Sequence, residues 1–265
     1  SVACQAAAAV ENAQLHEAAL KNRDLERDLE LAHKVQQGFL PSQPPQVAGY
    51  DFFDFYEAAN QVGGDYFDYI PLPGNRLAVV LADVSGKGTA AALLMAKLSA
   101  EARYSLVSEP TAAQAINRLN ASFSRSGWED RFVTLVLAML DLDKNTVTIV
   151  NAGHMDPLLR HCDGKVEPIG TEEGGMPLGV DAECEYTQFT IPLHPGESIT
   201  VFTDGFSEAM NAKGELYGID RLQKRLGADV PGVSGLGPLI LEDVKKFVGK
   251  WKQSDDMCLI CFGRQ

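Results

Sequence analysis

Four aspartates stand where an apolar stretch of the chain meets a glycine or a polar turn: Asp65, Asp83, Asp204 and Asp255. Carboxylates are among the oxygen ligands that hard cations such as Mg²⁺ and Mn²⁺ prefer. A strand end holds a carboxylate rigidly, and a neighbouring glycine lets a backbone carbonyl or a substrate come close. One aspartate beside a glycine is usually only a turn residue, so the recurrence at four sites, without a competing histidine or cysteine set, is what is informative. The pattern predicts a two-metal hydrolytic site in which the ions lower the pKa of a bridging water and clamp a phosphoryl group.

The composition narrows the possible partners of such a site. Hydrophobic residues make up 45% of the chain, which is ordinary for a globular protein with a sizeable core. The net charge of -13 argues against nucleic acid as a partner, because phosphate-backbone binding needs a clustered basic surface. No apolar run approaches the ~20 residues that span a bilayer, which argues against a membrane-spanning segment. Five cysteines without framework spacing predict a reducing compartment, the cytoplasm.

Residues 1–40 are predicted to form one long linker helix, and residues 41–265 the domain that carries the aspartates. The chain starts at Ser1 without a basic leader, which predicts a piece of a longer protein without a signal peptide. A heptad reading places a-site residues at Leu15, Asn22, Leu29 and Gln36, and d-site residues at Ala18, Leu25, Ala32 and Phe39. This seam favours a parallel coiled-coil homodimer through the helix, with polar Asn22 fixing the register. The alternative is a single helix that packs on its own domain.

From residue 50 onward the pattern changes to short strands and turns. Strands are predicted at 51–58, 66–72, 77–83, 133–141, 146–151, 187–191, 198–203 and 257–262. Helices are predicted at 89–107, at 111–124 with Thr111 as its cap, and at 236–251. Hairpin turns are expected at residues 143–145 and 163–164. Strands in runs, with the helices grouped together, predict a layered α+β sandwich.

Six motifs from residue 50 to the end carry a family resemblance: VGGDYFD (62–68), ADVSGKG (82–88), NAGH (151–154), PLG (177–179), FTDGFSEA (202–209) and DDM (255–257). In this order they resemble the PPM superfamily of protein phosphatases (phosphatase 2C-type), in the bacterial RsbU/SpoIIE branch. The resemblance implies two stacked antiparallel sheets flanked by helix pairs, with metals at one edge. The helix before residue 40 resembles the end of a GAF sensor domain followed by a signalling linker.

The resemblance also implies roles for individual residues and a reaction. Asp83 would bridge two ions, Mn²⁺ or Mg²⁺, and the Val84 carbonyl would bind one of them. Asp204 and Asp255 would ligate the other ion, and Asp65 would reach a metal directly or through water. The implied reaction is hydrolysis of phosphoserine or phosphothreonine by direct water attack, without a phosphoenzyme. The implied substrate is a phosphorylated anti-sigma-factor antagonist, and the implied regulation is dimerisation and a switch in the helices after Asp83.

Two departures from the superfamily pattern bear on the chemistry. Animal relatives have a histidine two residues after the bridging aspartate, proposed as a general acid, where this chain has Ser85. They also have a phosphate-binding arginine upstream of the first acidic motif, and residues 57–61 contain none. We therefore assign no general acid, and we expect affinity to come from the protein part of the substrate.

Other patterns are weaker. The GGDYF sequence at residues 63–67 lacks the glutamate of a GGDEF cyclase, and the segment around Lys87 lacks the P-loop glycine spacing. Cys258 and Cys261 are interpreted as core residues, because residues three apart in a strand face opposite sides. His154 is expected to orient a turn, Lys87 to be solvated, and two further aspartates to support or cap the site: Asp68 and Asp256.

Two rival functions stay open at this stage. One is a non-catalytic pseudophosphatase dimer that acts as a signalling scaffold, although the intact acidic set counts against it. The other is a phosphodiesterase for a small nucleotide, which would need aromatic side chains to stack on a base. Near the motifs only Tyr66 and Phe67 could provide that stacking.

Overall fold

Two antiparallel sheets of five strands each form the centre of the molecule. The computed structural model describes residues 2–125, 131–230 and 232–265, with the backbone alone for residues 2–10 and 13. The first sheet has the order β1-β10-β9-β6-β7, with strands Tyr50–Glu57, Met257–Arg264, Ser198–Phe202, Leu158–Arg160 and Val166–Pro168. The second has the order β2-β3-β4-β5-β8, with strands Tyr66–Leu72, Arg76–Val84, Val133–Asp141, Thr146–Ala152 and Phe189–Pro192.

Helices cover the outer faces of both sheets. The helices are α1 (Val2–Gln37), α2 (Thr89–Ser108), α3 (Ala112–Ser124), α4 (Asp204–Ser207), α5 (Ile219–Leu226) and α6 (Gly232–Val248). The pair α2 and α3 packs on the second sheet, and the pair α5 and α6 packs on the first. The layers are therefore helix pair, sheet, sheet and helix pair, which confirms the predicted α+β sandwich.

The strand β3 shows why the sequence folds into four layers. Ala78, Val80 and Ala82 face the helices α2 and α3, whereas Leu77 and Val79 face the other sheet. A strand buried on both faces has to be apolar at successive positions, because neighbouring side chains point to opposite sides. The same alternation separates Cys258, which lies between the sheets, from Cys261, which lies under α6. Both thiols are buried and free, as predicted.

Most of the described side chains of the helix α1 are exposed, and their contacts with the domain lie near its C-terminal end. Leu15 is 62% exposed and Leu25 58% exposed. The last residues of the predicted heptad seam behave differently, because Gln36 is buried and Phe39 packs against the core below α2 and α3. The seam is thus used within the chain at its C-terminal end and is open to solvent before that. Among the described residues, no helix has the length and apolar character required to cross a bilayer.

The sequence missed four short elements and misplaced both boundaries of one helix, which ends at Val248 and not at residue 251. The strands β6 and β7 have three residues each, too few to show a period, although the turn between them at residues 163–164 was expected. The helices α4 and α5 were also missed. The helix α6 begins at Gly232 and not at residue 236, because packing of Val233 and Ile240 on the first sheet overrides the low helix propensity of its glycines. Thr111 does cap α3, with its Oγ1 accepting from the Gln114 amide at 3.2 Å.

The close approach of α6 to β1 gives a test of the packing. A methyl group at Gly237 would overlap the Phe53 ring. Gly237→Ala should therefore destabilise the protein by about 1–3 kcal/mol through overpacking, although alanine is the better helix former by about 1 kcal/mol. Urea unfolding measures the change. Gly174→Ala is the control, since its nearest neighbour atom would lie 3.8 Å away; equal stability of the two variants would contradict this packing.

Candidate metal centre

The ends of four strands bring the predicted aspartates to one edge of the sandwich. The β2–β3 register pairs Tyr66 with Ala82, which places Asp65 beside Asp83. In the other sheet, β9 ends just before Asp204 and β10 begins just after Asp255 and Asp256. Because β9 and β10 are antiparallel neighbours, these ends adjoin. The sheet edges thus carry two aspartates from each sheet.

Asp65 is held in place by hydrogen bonds that come from the opposite sheet. Its side chain is buried, and its Oδ2 accepts from Thr203 Oγ1 at 2.7 Å. The backbone in front of it is fixed by Asp256, whose Oδ2 accepts from the Gly64 amide at 2.6 Å and whose Oδ1 accepts from the Ala59 amide at 2.8 Å. Asp256 thus supports the loop that carries Asp65, in agreement with its predicted role.

The aspartates raise one another's pKa. Burial raises the pKa of Asp65 well above its usual value, and the negative charge of Asp83 raises it further. Burial also raises the pKa of Asp83, with Asp204 as the next cause. For Asp204 the causes are burial and then the charge of Asp255. Each ionised carboxylate is therefore destabilised by low solvation and by its neighbours, the conditions that a bound cation relieves.

Lys87 brings a positive charge onto this set. Its Nζ lies 2.9 Å from Asp255 Oδ2 and donates to the Ser254 carbonyl at 2.6 Å. Its side chain is 53% exposed, so Lys87 is solvated as expected, and it also pairs with Asp255. The contact is possible because Gly86, at φ 90°, turns the chain back toward β10 immediately after β3.

A cleft of about 390 Å³ opens at this edge. It is lined by Asp83, Val84, Ser85, Gly86, Lys87, Phe132, Thr134, Gly153, His154, Met155, Asp204 and Asp255. His154 is buried, and its amide donates to Asn151 Oδ1 at 2.8 Å, so it does orient the turn as expected. Burial lowers its pKa to about 4, so the ring is neutral near pH 7.

The chemistry of the donor set fits hard divalent cations. Asp83, Asp204 and Asp255 offer carboxylate oxygens to the cleft, and Val84 ends β3 at its wall. Among the described residues, however, no three acidic, histidine or cysteine side chains converge on one point at ligand distance. Asp65 lies behind the cleft wall, where Thr203 occupies one of its oxygens. The structure thus gathers the predicted ligands at one edge, and their coordination of a metal stays a prediction.

Asp68 has a supporting role, and it lies away from the cleft. It is buried and accepts from the Tyr66 hydroxyl at 2.7 Å and from the Tyr69 amide at 2.8 Å. Arg103 on α2 forms a two-pronged contact with it, Nε to Oδ2 at 2.7 Å and Nη2 to Oδ1 at 2.9 Å. This pair ties β2, the strand after Asp65, to the first helix after Asp83.

Sequence reasoning missed three residues that position the site: Thr203, Arg103 and Gln36. Gln36 near the end of α1 donates from Nε2 to the Gly63 carbonyl at 2.7 Å and accepts from the Gly63 amide at 3.1 Å. Both backbone groups of a residue two positions before Asp65 are therefore satisfied by one side chain of the linker helix. A polar residue at an a position of the heptad was the available signal.

Comparison with known proteins identifies the family. Residues 73–265 match the family described as Stage II sporulation protein E (SpoIIE), which is more than half of the chain. The chain belongs to the SpoIIE family. The matched span contains three of the four predicted aspartate ligands and begins after Asp65. This confirms the family resemblance of the motifs, whereas the GAF-domain end and the coiled coil stay predictions.

Relatives of this SpoIIE-family chain have related names and folds. Phosphoserine phosphatase RsbU of Bacillus subtilis (strain 168) is 29% identical over 206 residues, which are 76% of this chain and 59% of RsbU. The chain thus spans less than two thirds of that relative. The SiaA-PP2C domain of Pseudomonas aeruginosa has the same fold, with a TM-score of 0.79 at 19% identity over 92% of this chain and 98% of that domain. RsbX in complex with magnesium has a TM-score of 0.64 at 15% identity, over 84% of this chain and 99% of RsbX.

Neutralising one aspartate should have opposite effects on two quantities: it should stabilise the metal-free protein and weaken metal binding. We expect Asp83→Asn to raise the melting temperature in EDTA, because it removes a partly buried negative charge next to Asp65 and Asp204. Wild type should gain about 2.7 kcal/mol of stability at an Mn²⁺ concentration of 100 times its Kd, and the variant should gain far less. Calorimetry with and without Mn²⁺ measures both effects. Asp220→Asn on α5 is the control, and an equal Mn²⁺ gain in all three proteins would contradict the site.

Proposed function

We propose that this chain is a metal-dependent protein phosphatase that hydrolyses phosphoserine or phosphothreonine on a partner protein. The observation that carries the proposal is the edge where both sheets bring aspartates to one cleft. The name of RsbU, phosphoserine phosphatase, supports the activity, and the magnesium complex of RsbX supports the metal. Because the match covers 59% of RsbU, the activity of the whole relative comes to this chain as a proposal.

The proposed ligand set is the one that the family resemblance implies, and three of its four aspartates line the cleft. Asp83 would hold both of two ions, Mn²⁺ or Mg²⁺, and the Val84 carbonyl would bind one. Asp204 and Asp255 would hold the other, with Asp65 behind them as a direct or water-mediated ligand. Ions bound there would neutralise charge on the phosphoryl group and lower the pKa of the attacking water.

The residues of the chain itself shape the cleft. Burial keeps the carboxylates in a region of low solvation, where their interaction with cations is strengthened. Lys87 holds Asp255 at the cleft wall, and Arg131 fixes the turn after β3 by donating from Nη1 to the Ser85 carbonyl at 2.9 Å. His154 is neutral near pH 7 because burial lowers its pKa, and we assign no general acid.

The rival functions have less support. Tyr66 and Phe67, the residues that a nucleotide phosphodiesterase would need for stacking, are both buried in the cores. Phe132 lines the cleft, so a nucleotide base would have to stack on it and not on Tyr66 or Phe67. The contact of Lys87 with Asp255 is compatible with a non-catalytic scaffold, and metal-dependent turnover decides between that and an enzyme.

Turnover should depend on both the metal and the cleft aspartates. We expect wild type to hydrolyse p-nitrophenyl phosphate and a phosphoserine peptide with Mn²⁺ and not with EDTA. Asp83→Asn and Asp204→Asn should lose turnover because each removes a proposed ligand, while circular dichroism shows an unchanged fold. Asp220→Asn is the matched control. Unchanged activity in both cleft variants would sink the assignment.

We further propose that α1 regulates the domain as a parallel dimer, in a cytoplasmic signalling protein whose substrate is a phosphorylated anti-sigma-factor antagonist. Residues 1–40 would form the linker and residues 41–265 the phosphatase domain. The exposed leucines of α1, such as Leu15 and Leu25, support a partner helix. The hydrogen bonds from Gln36 to Gly63 support a connection from this helix to Asp65. The free thiols of all described cysteines agree with a reducing compartment.

Sedimentation and kinetics test this regulation. Wild type should be a dimer at tens of micromolar, and Leu25→Lys should be monomeric because it places a charge in the exposed seam. Gln36→Ala should remain dimeric but lose turnover and metal affinity, because it leaves the amide and the carbonyl of Gly63 without their partner. Each unsatisfied buried group costs about 1–3 kcal/mol of stability. Gln37→Ala is the control at an exposed neighbour. A monomeric wild type refutes the dimer, and normal turnover of Gln36→Ala refutes the connection.

A further inference from the structure

An apolar groove of about 350 Å³ lies beside the metal cleft, between β1 and the C-terminal half of α6. Its apolar lining includes Phe55, Leu241, Val248 and Met257. Trp251, which also lines it, is 50% exposed. A large aromatic side chain that stays half in water beside an apolar groove is typical of a surface that a partner covers.

The groove and the cleft share one wall. Ser254 lines the groove and the next residue, Asp255, lines the cleft. In the same way Gly205 lines the groove and the preceding residue, Asp204, lines the cleft. Lys87 fixes the wall by donating to the Ser254 carbonyl at 2.6 Å. A chain segment that extends from the cleft across this wall therefore enters the groove within a few residues.

The groove carries positive charge on a protein with a net charge of -13. Lys245 and Lys252 line it, and both are exposed. Lys246 and Lys250 are exposed in the same stretch of chain. The dipole of α6 favours lysines in its last turn. It does not account for Lys250 and Lys252, because α6 ends at Val248.

Within the part of the chain that the structure describes, the four lysines near the groove form no salt bridge with its walls. Glu57 is the acidic residue that lines it, on β1. The Lys245 ammonium lies 5.2 Å from the centre of the Phe55 ring, over the apolar lining. A cation over an aromatic ring, open to water, is available to a carboxylate from a partner. The groove thus offers an apolar centre with cationic sides.

We propose that this groove binds an acidic segment of the phosphoprotein substrate, anchored by an apolar side chain, next to the phosphorylated residue. The inference rests on the proposed phosphatase function and names the docking surface of that substrate. The cleft, at about 390 Å³, accommodates a phosphorylated side chain, and the residues that flank it have to lie outside. The adjoining groove matches an acidic and apolar flank in both charge and polarity.

Peptide binding in EDTA tests the groove without turnover. The probes are fluorescein-labelled serine peptides, which lack the phosphate that the metal-free cleft repels, with two glutamates and a leucine on the N-terminal or C-terminal side of the serine, together with glutamine counterparts. Fluorescence anisotropy with the full chain should show tighter binding of one glutamate peptide than of its glutamine counterpart. The double variant Lys245→Glu/Lys252→Glu should weaken that binding about tenfold, because it reverses two charges at the groove. The affinity should also fall with salt in wild type.

The matched control is Lys144→Glu/Lys165→Glu, which makes the same charge change at two hairpin turns outside the groove. Equal peptide affinity of wild type and the groove variant would overturn the proposal. So would an equal loss in the control, or binding of anionic phosphatidylserine vesicles in place of the peptides. Hydrolysis of p-nitrophenyl phosphate with Mn²⁺ is measured in parallel and should be unchanged in the groove variant. If wild type does not hydrolyse p-nitrophenyl phosphate, the phosphatase function is refuted. The peptide measurement would still test whether the groove binds an acidic segment.

Discussion

The hydrogen bond from Thr203 Oγ1 to Asp65 Oδ2 joins the two sheets at the edge that carries the four aspartates. This contact opposes the repulsion between the carboxylates of the two sheets. Thr203 Oγ1 also accepts from the Cys258 amide at 3.0 Å, so one hydroxyl serves β9, β10 and the start of β2. Asp256 adds its two bonds to the loop before Asp65 from the same side. Neutral and charge-assisted hydrogen bonds thus hold together a site whose charges oppose folding.

The strand β2 receives support from two helices on different sides of the site. Gln36 on α1 satisfies both backbone groups of Gly63 just before Asp65, and Arg103 on α2 satisfies Asp68 just after it. Asp68 is a fully buried carboxylate, and its hydroxyl, amide and guanidinium donors offset the desolvation that burial requires. A shift of either helix would therefore act on the short segment that contains Asp65. This arrangement gives α1 a physical route to the proposed metal site that does not pass through the cores.

The metal cleft and the adjoining groove divide the recognition of a substrate between two kinds of interaction. The cleft is small and acidic, so without cations it repels a phosphate group. The groove is apolar and cationic, and one chain segment separates it from the cleft aspartates. Affinity from the groove would compensate for the missing arginine upstream of the first acidic motif. The acidic surface of the rest of the chain would disfavour acidic ligands elsewhere.

The sequence by itself determined the class of the fold and the ligand candidates. Apolar residues at successive positions of β3 require layers on both faces, and aspartates beside a glycine or a polar turn at four strand ends indicate a site at a sheet edge. Local patterns of this kind can be recognised from neighbouring residues in the sequence, without knowing which tertiary contacts those residues make. The three-residue strands β6 and β7 were invisible because they have too few residues for a period, and α6 begins early because packing overrides propensity.

Only the tertiary structure decided which residues support the site. Thr203, Arg103, Gln36 and Lys87 act on partners between 27 and 168 residues away along the chain, and a sequence pattern carries no signal for contacts at such separations. The groove depends in the same way on β1, α6 and the residues before β10 meeting in space. The amino-acid types gave the chemistry that is possible, and the packing of the two sheets decided where those types meet.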